Sequence, residues 1–127
     1  MVNQPETPFP GPRADWQSPD GLSLLAMEDV ASGERFFPPL PGHSPLYDQY
    51  RAFALGDIAS VYSFTVIHPN PRTGQAPFNL IYADFPERVR VFGILEGPDR
   101  PAIGQHVRVR IRESEDGRPR YFFVVSD

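Results

Sequence analysis

Residues 107–112 read Val-Arg-Val-Arg-Ile-Arg. Strict alternation of apolar and polar side chains places one set on each face of an extended strand, and it does not fit the 3.6-residue period of a helix. The same grammar recurs in short runs from residue 50 onward. Ile58–His68 is rich in β-branched and aromatic residues, Phe78–Phe85 reads as a second strand and Val89–Leu95 as a third. Asp116-Gly117 supplies the positive φ angles of a two-residue hairpin turn, which returns Tyr121–Val125 against residues 107–113. Pro69–Pro77 and Pro98–Gly104 are loops, because proline cannot donate to a strand ladder. Five strands with no helical period among them predict a mainly β fold, a five-stranded OB-type barrel that is closed or nearly closed.

The first fifty residues differ in character. Pro5, Pro8, Pro10, Pro12 and Pro19 prevent regular structure, so residues 1–20 are expected to form an extended or disordered arm with Trp16 as its one large anchor. In residues 21–49, Leu22–Met27 and Glu34–Phe37 suit a small hairpin, ended by Pro38, Pro39 and Pro41. A short helix over Leu46–Phe53 fits the spacing, and Tyr50–Leu55 equally fits the start of the first barrel strand. The barrel is assigned to residues 50–127. At 127 residues the chain is one domain plus an arm, enough to bury roughly two-thirds of its unfolded surface.

No apolar run approaches the roughly 20 residues of a membrane span, and the N-terminus lacks a basic segment followed by a hydrophobic one. A cytoplasmic protein is therefore expected. There is no cysteine, which removes disulfides and thiolate metal sites. There is no lysine either, which removes Schiff-base chemistry and a phosphate-loop lysine. Residues 1–87 carry four Arg against ten acidic residues, and residues 88–127 carry eight Arg against six.

Against this background the stretch Gly56-Asp57-Ile58-Ala59-Ser60-Val61-Tyr62-Ser63-Phe64-Thr65-Val66-Ile67-His68 resembles the signature strand of the acyl-CoA-associated OB-fold family. That family joins a rubredoxin-like zinc ribbon to an OB barrel and was formerly a domain of unknown function. Phe37-Pro38-Pro39, Ala76-Pro77-Phe78, Val91-Phe92-Gly93 and Ile103-Gly104 match in the same order, so the resemblance covers about residues 22–125. It implies a small, non-catalytic accessory subunit of a thiolase-like or acyl-CoA hydratase-like enzyme, one that helps complete or stabilise a complex acting on coenzyme A thioesters.

The departures from the family pattern also carry information. Its ribbon has two Cys-x-x-Cys knuckles flanking the Phe-Pro-Pro segment; here those positions fall on Asp29, Ser32, His43 and Leu46. A structural zinc site needs four good donors, so the site is expected to be lost and no cofactor is expected. Without the metal, packing of Leu22, Leu24, Phe36, Phe37 and the prolines must hold the segment. The helix that usually precedes the ribbon is shortened.

The residues themselves offer little catalysis. Gly42-His43-Ser44 begins like a nucleophile elbow, but Pro45 stands where an oxyanion-hole N–H is needed and Leu46 replaces the closing glycine. His43, His68 and His106 show no metal-ligand spacing, and Glu113, Glu115 and Asp116 suit a solvated turn. Arg108, Arg110 and Arg112 share a strand face, with Arg88 and Arg90 expected near them. Guanidinium groups grip phosphates bidentately, so this stripe could hold coenzyme A; a solvated face relieved by nearby acids is the favoured reading. Ile58, Tyr62, Phe64 and Val66 share one side of their strand as core, with His68 at the rim beside the loop 69–77. The candidate contact residues are thus Trp16, Phe36, Phe37, His68, Arg88, Arg90, Arg108 and Arg110. The competing classes are a single-stranded nucleic-acid-binding OB domain and a scaffold without a ligand. The net charge of −4 and a stripe without interleaved aromatics count against the first.

Overall fold

A computed structural model describes residues 14–42, 44–97 and 100–126. The chain divides into two compact units, one of residues up to 56 with 111–120, the other of residues 57–110 with 121 onward. Among the described residues there is no α-helix, and no helix is long and apolar enough to cross a membrane.

The small sheet contains β1 (Leu25–Asp29), β2 (Arg35–Phe36) and β3 (Tyr50–Ala54), in the order β2-β1-β3 and antiparallel throughout. The expected hairpin is present, but Tyr50–Ala54 belongs to this sheet, neither helical nor in the barrel. The helical spacing is used for one 3-10 turn, Tyr47–Gln49; the Arg-Ala-Phe-Ala sequence that follows then pairs with β1 from Ala54↔Leu25 to Tyr50↔Asp29. Leu24, Ala26 and Met27 are wholly buried, and the Leu40 N–H donates to the Met27 sulfur at 3.3 Å. Residues 14–20 are not an extended arm either. Gln17 bridges Leu24, and the Leu25 N–H donates to the Trp16 carbonyl at 2.7 Å. The buried Gln17 and Ser18 side chains close the turn that follows, Gln17 donating to the Gly21 carbonyl and Ser18 to Asp20. Residues 1–13 lie outside the described residues.

Glu28 sits at the centre of this sheet, directly opposite Arg35 on β2 and Arg51 on β3. Both guanidinium groups bond to its carboxylate, Arg35 at 3.2 Å. Cross-strand opposite charges of this kind stabilise a sheet modestly. They hold the Glu28 carboxyl below its ordinary value of 4.5, the Arg51 hydrogen bond contributing most. A depressed folded-state value means that the pair stabilises fully above the unfolded value and fades as the pH falls through the folded one. Glu28→Gln is therefore expected to be less stable than the parent at neutral pH, with the difference disappearing under acid conditions. Urea unfolding at a series of pH values checks this.

The second sheet is a closed barrel. Its strands are β4 (Ile58–Ile67), β5 (Phe78–Phe85), β6 (Val89–Leu95), β7 (His106–Glu113) and β8 (Pro119–Val125), in the order β4-β5-β6-β8-β7. The meander β4-β5-β6 is antiparallel, β8 joins β6 in parallel, and β7 closes onto β4. This is the five-stranded OB barrel expected from the alternation. Val61, Ile81, Ala83, Val91, Val107 and Phe123 are among the side chains buried in its interior. The β7-β8 connection has one more residue than a two-residue turn. Ser114 N–H donates to the Arg118 carbonyl and Gly117 N–H to that of Ser114, leaving Gly117 at φ +80° as a three-residue loop with a left-handed glycine.

Strand β4 holds an irregularity between Val61 and Ser63. Before it, Ala59 and Val61 face inward; after it, Phe64 and Val66 lie opposite the inward Ile81 and Asn79. One extra residue switches the parity of everything beyond it. The expectation that Ile58 and Tyr62 are core is thereby corrected: Tyr62 is 52% exposed and Ile58 38%.

Closure of the barrel depends on a near approach at Gly93. A Cβ there would stand 2.8 Å from a Phe123 ring carbon and 3.1 Å from one of Tyr121. Phe123 is wholly buried and packs against Phe85, so its ring has little room to yield. Gly93→Ala is expected to destabilise the protein by about 1–3 kcal/mol, read as a lower midpoint in urea with an unchanged denaturant slope.

Candidate functional site

Trp16, Phe36 and Phe37 lie in the first unit, all half-buried. Phe36 stands edge-on to Tyr50 at 5.3 Å, and with Asp29 and Glu34 the two rings line a small cleft. Of the four positions that would hold zinc in the family's ribbon, Asp29 lines this cleft. Asp29 accepts hydrogen bonds from the Ala31 and Ser32 N–H groups at 2.8 and 3.2 Å, and the Ser32 hydroxyl accepts from Glu34 N–H at 3.2 Å. Both side chains are therefore committed to the β1-β2 turn. Leu46 offers no donor atom, and His43 lies outside the described residues. This donor set does not fit zinc, because side-chain caps now hold the turn that a metal knuckle would hold. Elemental analysis of purified protein is expected to find zinc far below stoichiometric, and added zinc to leave the thermal midpoint unchanged, whereas ligand binding to the folded state would raise it.

The remaining candidates lie in the second unit. His68 is exposed just beyond β4, where the loop 69–77 begins. In that loop Asn70 accepts from Arg72 N–H and caps a 3-10 turn over Pro71–Thr73. Beside it an open cleft of about 500 Å3 is lined by Gln75, Pro77, Phe78, Ile94 and Glu96, among others.

The arginines do not form one group. Strand β8 lies between β6, which carries Arg90, and β7, which carries Arg108 and Arg110. Arg88 is exposed in the β5-β6 turn, at φ +67°. Arg90 donates twice to Asp84, at 2.6 and 3.1 Å, and its guanidinium lies 3.4 Å from the centre of the Tyr62 ring. Arg108 donates to Asp57 at 2.7 Å. Arg110 makes a long contact with the Val109 carbonyl at 3.5 Å. Carboxylates engage two of these cations directly.

Three residue types used in hydrolytic triads meet on adjacent strands. Ser60 is paired with Asp84 on β5 and with His106 on β7, beside a cleft of about 240 Å3. The order is wrong for a relay, since the imidazole must stand between carboxylate and hydroxyl. Here the serine is in the middle and Arg90 occupies the carboxylate. Ser44, from the partial elbow, has its hydroxyl accepting from Leu46 N–H and serves a turn.

Sequence reasoning missed a different group. On the outward face of β4-β5-β6, Tyr62, Tyr82, Phe92 and Ile94 are 52%, 46%, 47% and 43% exposed. Tyr82 and Phe92 are direct cross-strand partners with ring centres 4.9 Å apart, and Leu80 pairs with Ile94 alongside. The sequence did contain a signal. In a strand with one wet face the outward positions should be polar, yet β5 places Phe78, Leu80 and Tyr82 there, and β6 places Phe92 and Ile94.

Comparison with known proteins agrees with this architecture. The family model of the ChsH2 C-terminal OB-fold domain matches residues 53–112. No curated protein matches the sequence. Among solved structures, a chain of an Ltp2-ChsH2(DUF35) aldolase superposes with a TM-score of 0.63 at 21% identity, over 81% of this chain and 84% of that one. At that identity the likeness establishes the fold.

Proposed function

We propose, because the barrel of this chain belongs to the ChsH2 C-terminal OB-fold domain family, that the protein is a cytoplasmic, non-catalytic accessory subunit. It associates with a thiolase-like or acyl-CoA hydratase-like enzyme and helps complete or stabilise the complex that handles acyl-CoA thioesters. The observation that carries this reading is the family match over 53–112, together with a barrel whose serine, histidine and aspartate stand in a non-productive order. The solved chain of like fold comes from an aldolase named for two components, Ltp2 and ChsH2, which supports a partner-dependent role here.

In this role the chain contributes surfaces. Two of its candidate arginines, Arg90 and Arg108, are engaged by carboxylates, so phosphate recognition would be secondary. Arg110, whose long contact to the Val109 carbonyl leaves it more available than Arg90 or Arg108, is the member of the stripe best placed to engage a coenzyme A diphosphate. His68 and the cleft beside loop 69–77 offer a second contact region.

Purification of the tagged chain from its native host is expected to recover a thiolase-like or hydratase-like enzyme in comparable molar amount. The isolated chain is expected to turn over no acyl-CoA thioester above background. A strictly monomeric protein with no such companion, or steady turnover by the chain alone, overturns the reading.

A further inference from the structure

We draw no further inference here: the strongest candidate, the outward face of β4-β5-β6 around the exposed Tyr82 and Phe92, carries nothing because no feature of the structure shows what covers it.

Discussion

The barrel closes where the Phe123 ring lies against the bare backbone at Gly93. Strand β8 meets β6 through the Leu95↔Phe123 register and a hydrogen bond from Glu96 N–H to the Phe123 carbonyl. So short a parallel seam gains little from main-chain bonding, and side-chain packing must fix its position. A wholly buried phenylalanine seated over a glycine does this, because it fits in one place along the strand. The rest of the barrel follows: β7 can reach β4 only once β8 is set beside β6, and every inward residue from Ala59 to Val109 depends on that closure.

Much of this was readable from residue order. Phe78–Phe85 and Val89–Leu95 were delimited correctly because proline and turn residues bound them and because their inward positions alternate. The irregularity after Val61 was not readable, since one inserted residue changes no composition and leaves both halves of β4 looking like good strand. Its effect was to place Tyr62 on the wrong face. The third strand of the small sheet was also ambiguous. Tyr50–Ala54 has the composition of an edge strand of either sheet, and only long-range pairing with β1 decides between them. The candidate site was legible in part: the arginines were found, but their partners Asp57, just before β4, and Asp84, on β5, are brought to them by topology.

The small sheet shows how a segment that resembles a metal ribbon can be held by other means. Asp29 and Ser32 cap the turn between β1 and β2, and Glu28 draws an arginine from each neighbouring strand. Each of these contacts is worth little alone. Together with the buried Leu24, Ala26 and Met27 they give the segment a register, at the cost of greater sensitivity to acid than a metal-free apolar hairpin would show.

Closure of the barrel also limits how this chain can be recognised. Where the barrel strands pair, as Ile58–Ser60 do with β7 and Asn79–Phe85 with β6, their main-chain donors and acceptors are used and another chain cannot extend those stretches. Recognition by the outer faces of the barrel is written in side chains, which change one codon at a time without disturbing the ladder. The fold can stay fixed while the residues on its outer faces drift.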